Sequence, residues 1–158
     1  ELWHKEAKDF LNKFNKTYYS KFAKNCDEYF YLPHRDEQRG IGGIFFDNLK
    51  HKNITSSLSL LANMFETYLS SYKKIINRRL SSKFSIDEKE FQLYRRGRYV
   101  EFNLLFDRGT KFGIESGGRT DSILASLPQN VAWPAKLTSK QISMNKKLND
   151  FLSNDWHA

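Results

Sequence analysis

The sequence predicts an α+β domain, an antiparallel β-sheet flanked by helices. Three observations carry that reading. Apolar residues recur every three or four positions through two long segments, which makes helical stripes. From Tyr99 to Phe106 they alternate, as in a strand with one buried side. Glycine-rich turns, Arg39 to Gly43 and Gly117 to Arg119, punctuate the chain near these changes of period.

The first stripe runs over 2–30 through Trp3, Ala7, Phe10, Leu11, Phe14, Tyr18, Phe22, Cys26 and Tyr29, with an interruption near Asn15. Pro33 ends it, because the residue before a proline is steered away from the α region. Residues 41–46 then read as a short apolar strand. A second helix is predicted over 54–79, capped by Asn53 or Thr55 and striped by Leu58, Leu61, Phe65, Tyr68, Tyr72 and Ile75. A shorter helix fits 87–96, with Ser85 as N-cap and Gly97 as its stop. Val100, Phe102, Leu104 and Phe106 share one face of the strand predicted over 98–106, and 110–114 returns as its neighbour. A short helix from Thr120 or Asp121 to before Pro128, a strand over 131–133 and a helix over 139–152 complete the chain. Together 1–158 read as part of one domain, incomplete as it stands: the chain opens without Met, inside a helical pattern.

The chain has 158 residues, 39% hydrophobic and 28% charged, which disfavours disordered and fibrous classes. No apolar run approaches the roughly 20 residues of a membrane-spanning helix, so no transmembrane segment is expected. One cysteine supplies neither a disulfide framework nor a multi-cysteine metal site. Cys26 itself falls on an apolar helical face and reads as core. The net charge of +8 suits an anionic partner. A nucleic-acid-binding module would use Arg95-Arg96-Gly97-Arg98. Most lysines, however, lie on helix faces where solvation is their ordinary role, and no nucleic-acid partner is expected.

Three clusters can carry chemistry. Asp107-Arg108, at the end of a predicted buried strand, pairs an acceptor or base with a bidentate carboxylate clamp; a turn with a local ion pair has the same sequence. Gly117-Gly118-Arg119 permits close backbone approach and an anion nest, although glycine pairs are also ordinary in turns. His34-Arg35 precedes Gln38 to Gly43 without matching a phosphate loop or a dinucleotide fingerprint. His4 and His34 are each able to ligate a metal, but two histidines alone do not define a site.

The blocks Tyr29 to Asp47, Phe91 to Leu104, Asp107-Arg108-Gly109-Thr110 with Phe112-Gly113, and Gly117-Gly118-Arg119-Thr120 through Leu124 resemble oxygen-dependent coproporphyrinogen III oxidase in content, order and spacing. The resemblance covers nearly the whole chain, which supplies about the carboxyl-terminal half of a family member. It implies oxidative decarboxylation of coproporphyrinogen III to protoporphyrinogen IX in haem biosynthesis, with molecular oxygen as co-substrate and no organic cofactor. It implies Asp107 and Arg108 as catalytic residues, and Gly117, Gly118 and Arg119 as substrate-binding ones. A divalent metal held by His4 and His34 and a homodimer formed through about Tyr99 to Pro134 are further implications. The location would be cytoplasmic in a bacterium and organellar (mitochondrial or plastid) in a eukaryote. The competing reading is a catalytically inactive piece with an assembly role.

Overall fold

The computed structural model describes residues 1–156 and divides them into two compact units. The first comprises Glu1–Tyr31, Gly40–Lys83 and the C-terminal residues from Asn154; the second comprises Leu32–Arg39 and Phe84–Ser153.

In the first unit the predicted 2–30 helix is two helices, α1 (Leu2–Leu11) and α2 (Tyr18–Phe30). Asn15 makes the break: its side-chain oxygen accepts from the Thr17 backbone N–H and hydroxyl, both at 2.9 Å, offering the chain a turn in place of helix. The long helix α3 (Ile54–Arg79) has the predicted bounds, and Asn53 caps it by accepting from Ser56 N–H at 2.9 Å. Phe10, Leu11, Tyr19, Phe22, Ala23 and Leu60 form the core. Glu6 ties α1 to α3, accepting from the Ser71 hydroxyl and from Lys74 Nζ. Residues 41–46 are not the predicted strand. The segment packs Ile44 and Phe46 on the core, and Phe45 N–H bonds to the carbonyl of Phe22 at 3.0 Å, with no ladder formed.

The second unit departs further from expectation. Its only strands among the described residues are β1 (Tyr31–Leu32, begun at the last residue of the first unit) and β2 (Glu37–Gln38), a small antiparallel pair. The segment predicted as strand 98–106 belongs to the helix α4 (Ile86–Leu105), entered through the Ser85–Glu88 capping box. Gly97, predicted as a stop, lies inside it. Residues 110–114 form α5 (Arg108–Glu115) rather than a return strand, and α6 (Thr120–Leu124) and α7 (Ser139–Leu152) follow. Residues 131–133 form no ladder; the Ala132 N–H instead bonds to the carbonyl of Leu93 on α4 at 3.1 Å. The α+β description therefore holds in a coarse sense only: mostly helical, with a two-stranded sheet.

The physical reason for the misreading of 98–106 lies in which α4 residues are buried. Gly97, Arg98, Val100, Glu101 and Phe102 are inside. An arginine and a glutamate occupy core-facing positions three apart, so hydropathy hides the helical period and leaves the apolar remainder alternating.

Candidate functional site

The densest chemistry in the second unit surrounds Glu101. The capping box starts α4 in a register that carries Arg95, Arg98 and Glu101, at steps of three, along one face. The tight β1–β2 connection presents His34, Arg35 and Glu37. Arg35 binds the Glu101 carboxylate bidentately, Nε to Oε2 at 2.9 Å and Nη2 to Oε1 at 2.8 Å. His34 Nε2–H donates to Oε2 at 2.7 Å and the Trp133 indole N–H to Oε1 at 2.8 Å. Glu37 accepts from Arg98 Nε at 2.6 Å and from Arg95 Nη1 at 3.1 Å, and Arg95 Nη1 also donates to Asn145 on α7 at 3.0 Å. Arg98 lies 4.4 Å from the Tyr94 ring centre.

Burial pushes the Glu101 carboxyl up, but hydrogen bonds from Arg35, Trp133 and His34, with the nearby charge of Arg98, outweigh it and hold the group at about 2. Glu101 in turn raises Arg35 above the usual guanidinium range, chiefly through their hydrogen bonds. Glu101 is therefore ionised at neutral pH and meets four neighbouring side chains, Arg35, His34, Trp133 and Arg98. Nothing in the motif reading singled it out; the i, i+3, i+6 spacing of Arg95, Arg98 and Glu101 was the available signal.

Asp107 caps α5, its Oδ2 accepting from the Thr110 backbone N–H at 2.7 Å and from the Thr110 hydroxyl at 2.9 Å. Arg108 is the first helical residue and is exposed. His34 stands near this end: its ring centre is 5.3 Å from that of Phe106, the residue before Asp107.

Gly117 and Gly118 are used at the other end of α5. Gly117 has φ +73°, its N–H bonds to the Ile114 carbonyl at 3.1 Å, and the Gly118 N–H bonds to the Gly113 carbonyl at 2.8 Å. That double bond pattern is a Schellman stop. Both amides expected in an anion nest are thus directed into the helix end. The Arg119 side chain remains as the exposed cationic group there. Because α5 has eight residues, about 12 Å of helix axis lies between Asp107 and Arg119. The structure brings Asp107, Arg108 and the His34 ring toward one end of α5 and sets Arg119 at the other.

His4 belongs to the first unit and is buried. Its Nε2 lies 2.7 Å from the Ile41 carbonyl and its Nδ1 3.2 Å from the Tyr19 hydroxyl. The carbonyl accepts only, so Nε2 carries the proton; the Tyr19 hydroxyl lies between Nδ1 and the Trp156 carbonyl, 3.4 Å away. Both ring nitrogens are committed, and the His34 Nε2 is committed to Glu101. Among the described residues no group of three or more His, Cys, Asp or Glu side chains is arranged to hold a metal ion. In this arrangement no ring nitrogen of His4 is left for a metal, whereas the Glu101 bond commits only one of the two His34 nitrogens. Cys26 is buried, as expected of a core residue.

The first unit also holds an apolar cavity of about 370 Å³ between α1 and α3, walled by residues including Trp3, Phe10, Cys26, Met64, Phe65 and Tyr68. It contains none of the residues expected to bind an anion.

Comparison with known proteins settles the family. The family model described as coproporphyrinogen III oxidase matches residues 1–157. The chain is 50% identical over 155 residues to a protein of Francisella tularensis subsp. novicida (strain U112) named oxygen-dependent coproporphyrinogen-III oxidase. Proteins of the same name from F. tularensis subsp. holarctica (strain LVS) and F. philomiragia subsp. philomiragia are 48% and 46% identical. Each match covers 98% of this chain and 50% of the relative. The chain belongs to the coproporphyrinogen III oxidase family, and it spans about half the length of these relatives.

Proposed function

We propose that this chain forms part of an oxygen-dependent coproporphyrinogen III oxidase, and the observation that carries the reading is its 50% identity to proteins of that name across 98% of its length. For each of two propionates, a carboxylate side chain, one O₂ and one proton become a vinyl group, CO₂ and H₂O₂. The two electrons that reduce the oxygen come from the ring; the β-hydrogen leaves as a proton, and the electron pair of its C–H bond stays behind to restore the ring as CO₂ departs. The electron-rich porphyrinogen is itself reactive toward O₂, so the reading requires no organic electron carrier.

The substrate is an anion with pyrrole N–H donors at its centre. Asp107 is the acceptor for a pyrrole proton; the two Thr110 bonds hold its carboxylate in a fixed orientation. Loss of that proton makes the ring a better electron donor to O₂, and the reduced oxygen then takes the propionate β-proton as CO₂ departs. Arg108 clamps the reacting carboxylate beside Asp107, where fixed geometry contributes several orders of magnitude in rate. Arg119, at the far end of α5, engages another carboxylate of the same broad ligand.

The homodimer belongs to this reading. Leu104, Leu105, Phe112 and Ile114, exposed large apolar residues between Tyr99 and Pro134, support a subunit contact there. A bacterial origin accords with the Francisella relatives, and with it the reading takes a cytoplasmic location. An assembly role for the chain alone is the second reading, favoured by its covering half of each relative. Protoporphyrin fluorescence after aerobic incubation with coproporphyrinogen III separates them. Signal from a family-length protein containing this chain supports the enzyme; no signal from that protein overturns it.

A further inference from the structure

The first unit leaves one face of α3 bare. Leu58, Leu61, Phe65, Tyr68, Tyr72 and Ile76 recur at helical spacing and are all exposed, while Leu60 and Ser71 on another face are buried against the core. From Leu58 to Ile76 the stripe runs for about 27 Å along α3. Phe65 and Tyr68 also wall the 370 Å³ apolar cavity, so the stripe opens into a recess able to take a large apolar side chain. An isolated exposed leucine has no meaning, but a continuous apolar ridge on a soluble surface marks an interface.

The exposed surface is 11313 Å² for 18.7 kDa. A folded monomer of that mass exposes about 8,300 Å², and even two separate bodies of half the mass expose only about 10,000 Å² together. The surplus therefore exceeds about 1,000 Å², more than the roughly 800 Å² per partner of a standard interface.

We infer that the α3 stripe and its cavity are the seat of the rest of a family-length polypeptide, the half that this chain does not span. The relatives are twice as long, and tethering in one polypeptide supplies a high effective concentration for a large apolar contact. Charge disfavours the other occupants. No Lys or Arg lies between Lys52 and Lys73, so most of the stripe lacks the cations that draw an amphipathic helix to anionic lipid. A second copy of α3 is a poor match as well: the helix carries Lys73, Lys74, Arg78 and Arg79 against one acid, Glu66. The inference rests on family membership and the bare surface, not on the chemistry proposed above.

The test uses the double variant Leu61→Asp/Phe65→Asp in two settings: this chain alone, and a chimera joining it in family order to the complementary half of the F. tularensis subsp. novicida relative. In the chain alone both positions face solvent, so the thermal midpoint stays within about 2 °C; in the chimera it falls by about 10 °C or more. Amide exchange over 58–72 is at least about tenfold slower in the unsubstituted chimera than in the chain alone. Ser59→Asp, on the polar face, changes neither. Should the chimera aggregate, the two halves are co-expressed as separate polypeptides and their 1:1 complex, lost in the double variant, is read by light scattering. Equal tolerance of the variant in both settings, or no association of the halves, overturns the inference. So does a self-dimer of the chain, or its binding to phosphatidylserine vesicles, that the same variant abolishes.

Discussion

Trp133 donates its indole N–H to Glu101 Oε1 at 2.8 Å while its ring covers Gly97 one helical turn earlier. A β-carbon built on Gly97 stands 3.0 Å from that same indole nitrogen and 3.2 Å from the adjoining ring carbon. The glycine inside α4 is therefore the space in which Trp133 sits, and the carboxylate is what holds the ring there.

Gly97→Leu should consequently expel Trp133 and break its bond to Glu101. Overpacking of this kind costs about 1–3 kcal/mol. Gly97→Ala is the informative comparison, because Ala gains about 1 kcal/mol in helix propensity while forcing the ring to shift by a few tenths of an ångström. The expected order of thermal midpoints is wild type, Ala, Leu. A midpoint for Leu equal to that of wild type would show that Trp133 does not depend on this seat.

Glu101 provides the next expectation. Removing it takes from Arg35 and Arg98 the anion that they share; Arg98 keeps Glu37 and Arg35 is partly exposed, so the loss is that of charge-assisted hydrogen bonds, about 1.5–3 kcal/mol. Glu101→Ala should reach that range in denaturant unfolding. Glu101→Gln retains one acceptor and should cost less. Equal stability of the Ala variant and wild type would mean that the cluster is incidental to folding.

The same carboxylate gives stability an acid limb. Its pKa in the fold, about 2, lies below the ordinary value of 4.5. Its contribution is complete above about pH 4.5 and is lost as pH falls toward 2, amounting at most to about 3 kcal/mol. Stability measured from pH 6 to pH 3 should fall in wild type and fall less steeply in Glu101→Gln. Parallel curves would remove Glu101 as the source.

These residues also show what was legible in the sequence. The α3 bounds and the Asn53 and Ser85 caps could be read because local signals (a side-chain oxygen before an apolar stripe) agree with the tertiary outcome. In α4 they do not agree. Its buried face carries Arg98, paired with Glu37, and Glu101, paired with Arg35 and His34; these partners are more than sixty residues away, so the burial of those charges has no local trace. The Asp107–Thr110 and Gly117–Gly118 motifs were visible as special positions. Their structural work, starting and stopping α5, became clear only once that segment was seen to be a helix. His4 reads as a ligand candidate until Tyr19 and the Ile41 carbonyl are seen to occupy both ring nitrogens.

Gly117 offers a direct check on the α5 stop. At φ +73° a β-carbon is strained, and Gly117→Ala should lose about 1–2 kcal/mol through the left-handed conformation alone. Gly118→Ala meets the Gly113 carbonyl oxygen at 2.7 Å and should be at least as damaging. Helix content and the thermal midpoint report both. A Gly117→Ala variant as stable as wild type would show that the chain does not need this conformation.

Asp107 carries two roles that substitution can separate. As N-cap it needs only a side-chain acceptor for the Thr110 N–H, and Asn serves there nearly as well as Asp. As the proposed acceptor of a pyrrole proton it needs basicity, which Asn lacks. Asp107→Ala should therefore destabilise by about 1 kcal/mol and also abolish turnover of a family-length enzyme. Asp107→Asn should keep the thermal midpoint and still lose turnover, by about 10²–10⁴-fold if proton transfer is its contribution. Arg108→Lys, alongside, should weaken substrate binding more than it affects stability, because a point charge does not reproduce the planar fork. Lys111→Ala, on the same helix with the same charge, should change neither. If Asp107→Asn turns over normally, the carboxylate is a helix cap and nothing more. If it fails only where the midpoint also falls, the cap rather than the chemistry explains the loss.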